Sequence, residues 1–123
     1  FYYFGQIGGC GLLQPYYSIN GVWVSCQGFY PPTDKWTYVA ITWDRNTGYF
    51  KNYRDGNLVK SCSYGAGADI GNPNSNITIG QGWQGTFKGL IDEVQIYNAV
   101  LPLAVIQQHY AQGLERHQNL AQK

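Results

Sequence analysis

The chain has 123 residues, enough for one domain with one core. Eight Lys and Arg stand against seven Asp and Glu, and only 12% of residues are charged, which leaves no basic footprint for nucleic acid and no acidic tail. No apolar run approaches the roughly 20 residues of a membrane span, and no charged stretch leading into an apolar run marks a signal peptide.

Eleven Tyr, five Phe and four Trp occur among sixteen Gly. Aromatic runs cut by Gly, Asn and Pro are the composition of an all-β protein with many turns. Methionine is absent, so the natural chain is expected to start upstream of Phe1. Of the three cysteines, Cys10, Cys26 and Cys62, at least one has no partner within the chain. Two readings stay open: buried free thiols acting as small apolar groups, or one disulfide from an oxidising compartment plus a spare. There is no C-x-x-C and only two His are present, which argues against a zinc site.

In chain order, Phe1 to Ile7 opens on aromatics with no polar lead-in, like a strand cut from something larger. Leu12 to Asn20 and Val22 to Gln27 are the next strands, with Asn20-Gly21 as the tight turn between them. Pro31-Pro32 marks a loop, because neither residue can donate to a ladder. Trp36 to Trp43 is the clearest strand, apolar enough on both faces to be central. Asp44 to Gly48 turns and Tyr49 to Arg54 returns. Asp55-Gly56 makes a primed hairpin turn, and Asn57 to Tyr64 completes a three-stranded meander.

Gly65 to Asn76 is a loop by composition. Ile77 to Gly80 reads as a short strand, and Phe87 to Tyr97 as the last long one. We expect the stretch Ile77 to Tyr97 to be the hub against which the earlier strands pack. Pro102 suits the first turn of a helix, along which Leu103, Ile106, Tyr110 and Leu114 recur at helical spacing. Gly113 caps this helix, or the helix runs on through Leu120. We divide the chain there: residues 1–113 form the domain and residues 114–123 a polar helical tail.

One ordered series stands out: Trp36 to Trp43, Asp44, Gly48, Tyr53, Asp55-Gly56, Val59, Ile79-Gly80, Phe87, Gly89, Ile91-Asp92-Glu93-Val94, Ile96-Tyr97-Asn98, Leu101, Ile106 and Tyr110. In order and spacing it resembles the prokaryotic laminin G-like branch of the concanavalin A-like lectin/glucanase superfamily, over its C-terminal portion. The resemblance implies an all-β fold: an antiparallel jelly-roll β-sandwich with a C-terminal helix. It also implies further strands before the position of Phe1. Without them, sheet faces and edges are left open to a second chain that supplies the strands, or to self-assembly.

Catalysis is not expected. Retaining glycosidases of this superfold resemble E-x-D-x-x-E on one strand. Here the only glutamates are Glu93 and Glu115. Asp92 and Glu93 are adjacent, so in a strand they point to opposite faces and cannot meet one sugar at the roughly 5 Å spacing of retaining chemistry. Asp92 would sit in register with Leu90, Val94 and Ile96, where it must accept hydrogen bonds or be turned out by a bulge. His109 and His117 lie in the helical region with no G-x-S-x-G element nearby.

Binding residues are easier to nominate. Trp83 lies in a Gly-rich turn with Gln81 and Gln84, where an aromatic face can stack on a pyranose and the amides can take its hydroxyls. Tyr30 beside Phe29 is a second platform, followed by Trp23 and then by Tyr16 and Tyr17; core packing is the competing reading for each. For Trp36 and Trp43 we expect core. The resemblance implies Ca²⁺ at the rim, for which Asp69, Asn72, Asn74 and Asn76 offer hard oxygen ligands in one loop, with Asp34 and Asp44 from other loops. Turn preference accounts for the same residues. Asn76-Ile77-Thr78 matches the glycosylation sequon.

The expectation is therefore a non-catalytic module, extracellular or at a cell surface, that serves recognition or adhesion by binding glycan or protein through rim loops. The alternative is a structural domain of a cell-surface filament or pilin-like assembly.

Overall fold

A computed structural model describes residues 2–7, 12–32, 35–71, 77–82 and 85–121. Strands β1 (Tyr2–Ile7), β2 (Leu12–Ile19) and β3 (Val22–Ser25) form one antiparallel sheet in that order, with Tyr2 opposite Tyr17 and Ile19 opposite Val22. Strands β4 (Val39–Asp44), β5 (Tyr49–Arg54) and β6 (Asn57–Ser63) form a second antiparallel sheet, the expected meander. A hairpin of β7 (Gln81–Gly82) and β8 (Gly85–Thr86) lies beside β1, and one helix, α1 (Leu103–Ala121), closes the chain. No helix among the described residues is long and apolar enough to cross a membrane.

Local chemistry sets the turns. Asn20 and Gly21 have φ of 48° and 80°, and Asp55 and Gly56 have φ of 50° and 74°. Both pairs are primed turns whose twist matches that of the strands they join. Gly48, at φ 75°, is fixed for a further reason: a Cβ there would run into the backbone of Gly65.

The sheets meet through few but large groups. Tyr17 on β2 and Phe50 on β5 are fully buried and stack with centroids 3.6 Å apart. Trp43 stacks on Phe50 at 4.3 Å, and Tyr64 meets it edge-on at 5.9 Å. The Tyr17 hydroxyl donates to Asn52 Oδ1 at 2.6 Å, and Asn52 Nδ2 donates to the Gln27 carbonyl at 3.1 Å. A buried amide is costly without partners, so this pair fixes how the sheets align. Burial also pushes the Tyr17 hydroxyl well above its ordinary pKa, with the Tyr64 hydroxyl adding to the effect and the Asn52 bond opposing it. A disulfide between Cys26 and Cys62, Cα atoms 6.0 Å apart, joins the two sheets covalently. Cys10 lies outside the described residues.

The helix packs across the second sheet at the Asp55-Gly56 turn. A Cβ on Gly56 would lie 3.3 Å from the Tyr110 ring and 3.4 Å from Gln107 Cγ. Ile106 is buried, Tyr110 tilts against Tyr38 at 6.3 Å, and His117 stacks on Trp36 at 4.0 Å. The helix passes through Gly113 without stopping, and a Cβ there would sit 3.2 Å from Glu93 Oε2. Pro102 directly precedes the helix, and its carbonyl accepts from Val105 and Ile106.

Three expectations are corrected. Residues 36–43 do not form a central strand: β4 is the outer strand of its sheet, and β5 is central. Ile77 to Gly80 is not a strand; pairing starts at Gln81. Phe87 to Tyr97 is not a strand either, so the expected hub is peripheral. Among the described residues, no main-chain hydrogen bond ties residues 88–100 to the rest of the chain. Alternation supplies a face, but a strand also needs a partner. Instead Asp92 Oδ1 accepts from the Glu93 amide at 2.7 Å, and Glu93 bends to φ 52°. Side chains then hold this coil to the helix: Glu93 pairs with Arg116, Asp92 Oδ2 lies 3.8 Å from His117 Nε2, and Tyr97 stacks on His109 at 5.8 Å.

The disulfide closes a loop across a sequence separation of 36, for which chain entropy gives about 3–4 kcal/mol of stabilisation. Reduction, or Cys26→Ser, should lower the melting temperature by on the order of 10 °C, read by circular dichroism. Tyr17→Phe should cost about 1–3 kcal/mol in urea unfolding, because it strands a buried Asn52 oxygen.

Candidate functional site

In the β4–β5 pair, opposed residues share a face. Ala40 faces Tyr53, Thr42 faces Lys51, and Asp44 faces Tyr49. All six lie on the side away from the Tyr17–Phe50 core. Residues 100–103, entering the helix, wall this face and leave a cleft of about 250 Å³. Tyr53 and Thr42 are buried at its floor, whereas Tyr49 is 42% exposed and presents part of its ring. Leu101 and Pro102 line the opposite wall.

Asp44 is the carboxylate of this cleft. Its Oδ2 accepts from the Thr47 hydroxyl at 2.8 Å, and its Oδ1 accepts from the Asn46 amide at 2.9 Å. The Thr47 hydroxyl bond does most to hold its pKa below the ordinary carboxylate value; partial burial opposes this, while backbone amides and the Lys51 charge assist. Asp44 is thus an ionised acceptor fixed in direction before any ligand arrives. Lys51 adds a cationic donor and the two threonines add hydroxyls. An aromatic face, a fixed acceptor, a charged donor and an apolar wall in one groove suit a ligand with both polar and apolar sides.

The residues nominated from sequence fall elsewhere. Gln81 is exposed on the β7–β8 hairpin and Tyr30 is exposed beyond Phe29. Trp83, Gln84, Asn72, Asn74, Asn76 and Asp34 lie outside the described residues. Asp69 is exposed and tied to the Asn20 turn: its amide donates to Asn20 Oδ1 at 3.2 Å, and its carbonyl accepts from the Asn20 amide at 2.9 Å. Among the described residues, no three His, Cys, Asp or Glu side chains converge as a metal site. Tyr17 is core. Trp23 is exposed by 56% on β3.

Reading the motifs one at a time misses the cleft. Its signal is the polar alternation Thr42, Asp44 on one strand against Tyr49, Lys51 on the next. The wall comes from about fifty residues later in the chain, and no local pattern announces it.

Comparison with known families adds one finding. A laminin G-like family model, described as the concanavalin A-like lectin/glucanases superfamily, matches residues 16–107. That span contains the second half of β2, all of β3 to β8 and every residue that lines the cleft. Comparison with curated proteins and with solved structures finds no match.

A depressed native pKa makes Asp44 a source of acid sensitivity. Its contribution is fully present above the unfolded value of 3.8 and is lost as pH falls through the lower folded value. Melting temperatures measured downward from pH 5 should therefore fall less steeply for Asp44→Asn than for the wild type. Parallel curves would remove Asp44 from the acid limb.

Proposed function

Because the chain belongs to the concanavalin A-like lectin/glucanase superfamily, we propose that it is a non-catalytic recognition module whose cleft beside Tyr49 holds a glycan by contact. The observation that carries this reading is the lining of the cleft. Tyr49 offers a ring on which the apolar face of a pyranose can stack. Asp44, Lys51 and the threonines offer the hydrogen-bond partners that sugar hydroxyls need. The cleft is of a size to enclose one or two sugar rings, so a chain end or a short oligosaccharide is the natural ligand.

Recognition without cleavage is supported by where the carboxylates are spent. Glu93 is paired with Arg116, and Asp92 lies against its own backbone and His117. Among the described residues, Asp44 is the one carboxylate lining the cleft, and retaining or inverting hydrolysis uses two. We place the module in a jelly-roll sandwich that works outside the cell or at its surface. The disulfide supports an oxidising compartment.

A glycan array followed by calorimetry tests the reading. At least one oligosaccharide should bind without being hydrolysed, and Tyr49→Ala and Asp44→Ala should each weaken it by about tenfold or more, the equivalent of ~1.4 kcal/mol. Binding that survives both changes, or release of product sugar, would sink the proposal.

A further inference from the structure

We propose that the ligand of the cleft is an acidic sugar, a pyranose bearing a carboxylate, and that Lys51 is the residue that selects it. The inference rests on the glycan reading above and deepens it.

The two charges of the cleft stand in opposite conditions. Asp44 is already supplied with donors: the Thr47 hydroxyl holds one oxygen and the Asn46 amide the other. Lys51 has no such supply. Among the described residues the ion pairs are Glu93 with Arg116 and Asp92 with His117, and Lys51 belongs to neither. Asp44 feels the Lys51 charge without forming an ion pair with it. Lys51 is half-buried and lines the face that a ligand would cover.

A ring lying on that face strips water from both groups. For Asp44 the loss is met by bonds already in place. For Lys51 it is met only when the ligand brings the missing anion, because a buried charge is costly unless paired. A neutral sugar offers dipoles in place of the lost water. A carboxylate offers the counter-charge and charge-assisted hydrogen bonds.

The register supplies the layout. Tyr49 faces Asp44, and Lys51, the next residue on that side of β5, faces Thr42. Same-face neighbours on a strand lie roughly 7 Å apart. A pyranose stacked on Tyr49 thus has Asp44 beside one edge and Lys51 beside another. In hexuronic and sialic acids alike the carboxylate leaves one edge of the ring and hydroxyls or an amide leave the opposite edge. The Lys51 ammonium and the Thr42 hydroxyl can then donate to the two carboxylate oxygens, while Leu101 and Pro102 close over the other face of the ring.

Calorimetry with matched oligosaccharides tests this. One pair is a chain ending in glucuronic acid against the same chain ending in glucose; the other is a sialylated chain against its unsialylated core. In at least one pair the acidic member should bind about tenfold tighter or more, and which pair shows it identifies the acid. The advantage should shrink as salt rises. Lys51→Met should erase it and leave the neutral member's binding near its wild-type value, whereas Lys51→Arg should keep it. Should Lys51→Met fail to fold, Lys51→Gln takes its place. Equal affinity within both pairs, or an advantage that survives loss of the Lys51 charge, would overturn the assignment and leave the glycan reading intact. Binding of no oligosaccharide at all would overturn both.

Discussion

The fold depends on one plug between its sheets. Tyr17 lies flat on Phe50, and its hydroxyl ends on Asn52, whose own amide reaches the Gln27 carbonyl. Stacking alone would let one sheet slide over the other, because dispersion has little direction. The buried hydrogen bonds remove that freedom, since each displaced partner would leave a polar atom unpaired away from water. Position then propagates outward. The Cys26–Cys62 bond and the Tyr64 hydroxyl, which donates to the Ser25 carbonyl at 3.0 Å, fall where this alignment puts them. Arg54 rests over Phe29 at 5.4 Å for the same reason.

The other face of the second sheet is free because the first has taken the core. Alternation sends Phe50 and Asn52 inward and Tyr49, Lys51 and Tyr53 outward. The outward row would be an ordinary wet face if nothing covered it. The helix is pinned at Gly56, where the lack of a side chain lets Tyr110 and Gln107 approach, and this brings residues 100–103 across the Asp44 end of the sheet. The cleft is the gap between a fixed sheet and a helix that lands slightly to one side. Its acceptor is rigid because Asp44 also makes the turn that joins β4 to β5. The residue that shapes the turn is also the one whose carboxylate lines the cleft.

The segment after the β7–β8 hairpin obeys a different economy. Its side chains, not its backbone, attach it: two acidic groups meet Arg116 and His117, and one ring meets His109. Exposed pairs of that kind contribute little individually. Among the described residues the segment is held by side-chain contacts, and it carries many of the exposed apolar side chains, Leu90 and Ile96 among them. Among the described residues the outer edge of β4 has no strand partner either.

By itself the sequence determined the local geometry. Asn20-Gly21 and Asp55-Gly56 had to be primed turns because two successive left-handed residues leave few other choices. The meander followed from the Asp44–Gly48 and Asp55-Gly56 turns, and the helix from the spacing of Leu103, Ile106 and Tyr110. The ordered series from Trp36 to Tyr110 also carried the family, which the match over residues 16–107 bears out. Only the tertiary structure decided which strands are central, that Cys26 rather than Cys10 pairs with Cys62, and that the cleft forms where Asp44 and Tyr49 meet residues 100–103. The reason is the same in each case. Pairing, cross-linking and enclosure need a second stretch of chain, and nothing in the first stretch records where the second will lie. The coil from Phe87 to Tyr97 makes the point most sharply, with the pattern of a strand and, among the described residues, no ladder to join.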